Sequence, residues 1–252
     1  MRTEALEKLS LTDEPDLSAL PRRELEVMAE AGAEVIECLR VLSKTGDNVV
    51  GELLRDHGTF YEWDHYPPGD VYDNETHAQY YYHAHVPAER FPGEHGHFHT
   101  FLRPRGMPIG VKPASVPGYK PPKDPNDALS HLIAIAMDKH GLPMRLFTVN
   151  RWVTGEVWYD ADDVIRMLDY FVIDHARPSW PANRWITALV RLFRPQIIKL
   201  VHARDRVVAD WRAQHPTRDV YEDRELEVTS VMDIDIDAQL QKVNAALEQK
   251  SA

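Results

Sequence analysis

Polar and packing side chains alternate with period two along two short runs near the middle of the chain, the pattern of half-buried strands. In residues 77–86 the odd positions carry His77, Gln79, Tyr81, His83 and His85, and the even ones Ala78, Tyr80, Tyr82, Ala84 and Val86. In residues 94–103 the odd positions carry His95, His97, His99, Phe101 and Arg103, and the even ones Phe98, Thr100 and Leu102. Pro87, Pro92 and Gly93 punctuate the link, so the pattern predicts a β-hairpin with one histidine-rich face and one apolar face. The runs are symmetric about Phe91. A mirror register would set His83 opposite His99 and His85 opposite His97.

Elsewhere the hydrophobic period is mostly helical. Leu25, Met28, Ala29, Val35, Ile36, Leu39 and Leu42 mark one side of a helix opened by Pro21 and ending near Lys44. Residues 47–76, with Pro67, Pro68 and Gly69, read as an ordered loop leading into the hairpin. Residues 104–125 hold seven prolines, too many for a helix interior or a central strand, and read as a surface crossing. A helix is expected over 125–140, with Leu129, Leu132, Ile133, Ala136 and Met137 inward, then a strand over 144–159 broken at Thr154–Gly155. Asp160 is placed to cap a further helix, followed by helices over 182–193 and 195–214. Alternation of Leu226, Val228, Met232, Ile234 and Ile236 predicts a last strand, and a helix follows over 238–248. Strands interspersed with helices give an α+β fold: an antiparallel sheet that includes the hairpin, packed against several helices. Residues 1–15, charged throughout, are expected to be mobile, and 16–252 to form one α+β domain with a Pro-rich connection at 104–125.

Composition narrows the function classes. The chain has 252 residues, 43% hydrophobic and 27% charged, and no apolar run approaches the ~20 residues that span a bilayer. The first residues lack a basic-then-apolar leader, so a cytoplasmic location is expected. The single Cys38 excludes an internal disulfide and a cysteine-based zinc finger, and its helical neighbours make it a buried thiol. A net charge of -11 argues against nonspecific nucleic-acid binding. Between Arg177 and Arg218, however, nine cations face only Asp205 and Asp210, a stretch suited to an anion or an acidic partner.

The chemistry lies in the histidines. Residues i and i+2 of a strand point the same way about 7 Å apart, and opposed residues of an antiparallel pair lie about 5 Å apart at Cβ. Four imidazoles, His83, His85, His97 and His99, can then converge on one divalent transition metal: zinc, iron, manganese, nickel or copper. Glu94 and Glu89 are candidate proton carriers and Arg103 a candidate anchor for an anionic substrate group. Asp70 and Asp73 are further local carboxylates. Phosphate-binding glycine loops, the Gly-x-Ser-x-Gly elbow and the His-Glu-x-x-His helix are absent from the sequence.

Residues 63–73 (WDHYPPGDVYD), 81–85 (YYHAH) and 94–99 (EHGHFH) resemble segments of an uncharacterised family of bacterial proteins of similar length. The resemblance extends from Trp63 to Trp211 and implies no activity. The His-x-His strands are also similar to the metal strand of cupins. That pattern adds a glutamate soon after the pair and a later histidine, whereas Thr100-Phe-Leu-Arg-Pro follows His99 here, and the strands are too few for that barrel.

Two function classes follow. The first is a metal-binding protein, in its fuller form a metal-dependent enzyme acting on a small polar or anionic substrate. The second is a noncatalytic interaction protein that uses the histidine face or the basic helices to hold a partner. Oligomeric state and metal identity are open at this level.

Overall fold

The computed structural model describes residues 8–250. The first seven residues of the expected mobile segment thus lie outside the described residues. Within that range the chain is α+β: a six-stranded antiparallel sheet with the long helices packed on one face. The strands are β1 (Tyr66–Tyr72), β2 (Ala78–His83), β3 (Glu94–Leu102), β4 (Ser130–Asp138), β5 (Pro143–Val149) and β6 (Val228–Asp233). They lie side by side in sequence order, each antiparallel to the next. The helices are α1 (Arg22–Ser43), α2 (Val49–Leu54), α3 (Arg151–Thr154), α4 (Ala161–Met167), α5 (Trp180–Leu192), α6 (Arg194–Gln214) and α7 (Ile236–Gln249).

Alternation along each strand assigns its two faces. Tyr80, Tyr82, Phe98, Ile133, Ile135, Leu146 and Met232 join Trp185, Leu189, Leu192, Ile197 and Leu200 of α5 and α6 in the main core. The Tyr80 hydroxyl donates to Asn183 Oδ1 at 2.6 Å, tying the sheet to α5 inside that core. On α1 the buried positions are Leu25, Met28, Ala31, Gly32, Val35, Cys38 and Leu42, close to the helical spacing expected, although Ile36 points out. Gly32 is there for space: a Cβ on it would fall 2.2 Å from Leu240 Cδ2 of α7. Burial and a hydrogen bond from its thiol to Glu34 push Cys38 up to about 12, so it stays a thiol. The opposite sheet face carries the histidines and a small apolar cluster of Phe91, Ala134, Ala136, Phe147, Val149 and Val231.

Three expectations need correction. Residues 130–138 form the central strand β4 rather than a helix, with a short 3-10 turn at Pro125–Asp127. A strand buried on both faces reads as a continuous apolar run, and Leu132–Met137 fits either period. The strand expected over 144–159 ends at Val149; Asn150 then caps α3, which Gly155 closes in the left-handed region. The supposed loop at 47–76 contains α2 and the irregular edge strand β1, where Gly69 and Asp70 both have positive φ. Pro67 and Pro68 hid β1, because proline is tolerated only on an edge.

Phe98 is buried against Tyr80, Tyr82 and Trp185, with ring centroids 5.0–5.8 Å apart. Phe98→Ala is expected to cost about 3–5 kcal/mol in a urea titration, the range for emptying a packed aromatic site. A loss well under 1 kcal/mol would mean that this face of the sheet is not the core.

Candidate metal centre

The hairpin forms, with a register that differs from the mirror reading by two residues. His83 lies opposite His97 and Tyr81 opposite His99. An even shift keeps every side chain on its face, so the histidines still share one side of the sheet. Gly96 helps to fix this register. A Cβ there would meet the His83 carbonyl oxygen at 2.5 Å and the Tyr82 hydroxyl at 2.6 Å, so only glycine lets β3 approach β2 so closely. Gly96→Ala is expected to destabilise the protein by about 1–3 kcal/mol and to disturb the histidine signals in NMR spectra. Unchanged stability would show that the strands can part without cost.

The shift regroups the imidazoles. His83 and His97 face each other across the hairpin with their Nε2 atoms 2.8 Å apart. His85, just beyond the end of β2, closes over them with its ring 5.1 Å from His97 and 5.0 Å from His83. One nitrogen from each of the three lies within 4.8 Å of the others, and all three residues are buried. This arrangement could hold a metal ion. Burial first, then the neighbouring His97, His85 and His65, pushes His83 down to about 2, so its ring is neutral and offers a lone pair.

His97 is oriented from behind. Its Nδ1 lies 2.6 Å from Glu94 Oε1, while Glu94 Oε2 accepts the Phe91 N–H at 2.8 Å. Burial raises the Glu94 carboxyl, but the His97 hydrogen bond and charge and the Phe91 N–H outweigh it, leaving the carboxyl below its usual range. A carboxylate accepting from Nδ1 fixes the tautomer whose Nε2 is free to ligate. Trp63 stacks on His85 at 4.2 Å, and His65 stacks on Tyr81 at 3.6 Å with its Nδ1 3.0 Å from Asp70 Oδ1.

The other candidates are placed less uniformly. Glu89 is partly exposed, 3.9 Å from His85 Nδ1, and lines the same cavity as His85 and His97. Both oxygens of Glu94 are already engaged. Arg103 is held by Gln79 Oε1, the Asn126 carbonyl and Asp127, with its guanidinium over the Tyr72 ring. Asp73 staples its own loop by accepting the N–H groups of Glu75, Thr76 and Asp174. His99 sits one step inward, next to Tyr81, and its Nδ1 is 3.0 Å from His131 Nε2. His131 was missed because its segment reads as a helix. As a strand, the same run puts His131 opposite Phe101, on the histidine face.

A cavity of about 30 Å³ adjoins the cluster, bounded by His85, Glu89, Arg90, Glu94, His97 and His99 and by apolar Phe91, Phe147 and Val149. That is room for about one water molecule. A family model, described as a domain of unknown function (DUF6969), matches residues 29–234. The chain belongs to the DUF6969 family. The match takes in the whole sheet and every histidine of the site, and is wider than the 63–211 span read from the motifs. No curated protein and no solved structure matches the DUF6969 chain. No helix among its described residues is long and apolar enough to cross a membrane.

Proposed function

We propose that this DUF6969 protein binds one divalent transition metal through His83, His85 and His97 and uses it to act on a small polar substrate. The observation that carries the reading is the convergence of three buried ring nitrogens within 4.8 Å, one of them oriented by a buried carboxylate. The residues fit such an ion. Without it, the 2.8 Å approach of His83 and His97 requires one ring to donate to the other; with it, both lone pairs have a common target. When bound, the ion would polarise a substrate oxygen or acidify a bound water.

The chain supplies the rest. Glu94 holds the His97 tautomer, and Trp63 braces the His85 ring. Glu89, at the exposed rim, is the carboxylate free to carry a proton between the cavity and solvent. Phe91, Phe147 and Val149 exclude bulk water and limit the reacting group to a few atoms. Binding of an acidic partner to the basic helices has less support. Arg184, Arg194, Lys199, Arg204 and Arg218 are already paired with Glu34, Asp169, Asp13, Asp205, and Asp223 with Glu225.

Untagged protein stripped with chelator and titrated with zinc, cobalt, nickel or iron(II) is expected to take up one ion per chain, with dissociation constants in the micromolar range or tighter. Elemental analysis and calorimetry read this directly. A folded protein that takes up none of the four at millimolar concentration overturns the proposal.

A further inference from the structure

His99 and His131 form a buried pair behind the triad, and one atom of that pair has no partner. His99 is 1% exposed and His131 2%. His99 Nδ1 meets His131 Nε2 at 3.0 Å, whereas His99 Nε2 makes no hydrogen bond at all. Leaving such a nitrogen unsatisfied in the interior is costly, so it calls for an occupant. The His99 ring packs 4.9 Å from His97 and 5.2 Å from His83, against 4.5–5.1 Å between rings of the triad, and it borders the same small cavity. If Nδ1 donates to His131, Nε2 keeps its lone pair.

His131 is itself fixed twice. Its backbone N–H donates to the buried Glu156 Oε2 at 2.6 Å, and its ring packs on Phe101 at 5.3 Å. The ring therefore has little freedom to turn away from His99. This is the arrangement by which an outer hydrogen bond orients a metal-ligating imidazole.

We infer that His99 Nε2 is a fourth ligand to the ion held by His83, His85 and His97, and that His131 is the positioning residue that aims it. The inference rests on the metal reading above and carries it further. Four imidazoles leave no open position on a tetrahedral ion, so an exchangeable site requires five or six coordination. The centre thereby selects iron(II), nickel or cobalt as its working metal, and zinc would be held closed.

Cobalt(II) absorption in the visible tests this, because four-coordinate cobalt absorbs several-fold more strongly than five- or six-coordinate cobalt. Loaded wild-type protein is expected to show weak bands. His99→Ala, which removes one ligand, is expected to intensify them several-fold and weaken cobalt binding about a thousandfold. His131→Leu keeps the volume but not the hydrogen bond, and is expected to reproduce the His99→Ala spectrum. His131→Gln, which keeps a polar end, is expected to restore the wild-type bands. A purely structural role would lower the loaded fraction in His131→Leu without changing its spectrum, and that result overturns the inference. Spectra indifferent to both positions overturn it too, with the metal reading intact. Wild-type protein that takes up none of zinc, cobalt, nickel and iron(II) sinks both.

Discussion

His83→Ala is expected to weaken metal binding about a thousandfold while leaving the chain folded. Structural zinc sites bind with roughly 10–16 kcal/mol, so one ligand of three or four accounts for about 4 kcal/mol, which is that factor in affinity. His83 is the informative position because it hydrogen-bonds His97 from the side opposite Glu94, and the Glu94–His97 pair survives its removal. His97→Ala should match it in metal loss and add a second penalty. It leaves Glu94, with a side chain only 3% exposed, without the imidazole that it faces, and breaking a buried charged pair costs about 3–5 kcal/mol. Calorimetric titration and urea unfolding of the two variants separate the effects. If His83→Ala binds zinc and cobalt like the wild type, the triad is not the site.

The second large effect is acid lability of the metal-free protein. Burial, followed by neighbouring charges, holds His83 near 2 and His131 near 3, and His99 well below the ordinary 6.5. Each stays neutral in the folded chain and gains a proton near pH 6.5 when unfolded. Their stabilising contribution is therefore complete above pH 6.5 and is lost as pH falls toward the folded values. Glu156 runs the opposite way. Burial, only partly offset by Arg204, the His131 N–H and Arg151, raises it from 4.5 to about 8, so it favours folding at low pH and loses that advantage between 4.5 and 8. Near pH 5.5 three protons bind on unfolding and one is released. The net of two corresponds to a slope of about 3 kcal/mol per pH unit. Urea midpoints at pH 7, 6 and 5 in the presence of chelator should fall steeply, and bound metal should steepen the fall further because protons compete for the same nitrogens. A flat profile across that range would show that these rings are hydrated rather than buried.

Much of this was legible in the residues themselves. Alternation in 77–86 and 94–103 sufficed to put four histidines on one face, because period two fixes the face whatever even register is adopted. Register was not legible. It depends on the close approach at Gly96 and on a ten-residue connection whose path no local pattern encodes. The pairing that results makes His85 a cap over the triad and sends His99 inward to His131. His131 could not be found from the sequence, since Leu132–Met137 satisfies helix and buried strand alike, and only strands on both sides decide between them. The long helices were readable because α1 and α6 each bury a single stripe, while α5 is an apolar run buried on nearly every side. Strand β1 was not, because its prolines are permissible only at a sheet edge, and edges are set by topology. Of the proposed chemical groups, Glu94 shows how position overrides type. A carboxylate three residues before a His-x-His pair looks like a base, yet both its oxygens are engaged by His97 and the Phe91 N–H.

The meander order of the strands has a kinetic consequence. All three triad imidazoles belong to one stretch of fifteen residues, from His83 to His97, and the strands that present them are neighbours in sequence. Closing so short a loop is entropically cheap and fast. On the metal reading proposed above, the nascent hairpin would offer all three ligands before α5 and α6 have been synthesised, and an ion bound there would serve as a nucleus for the later strands.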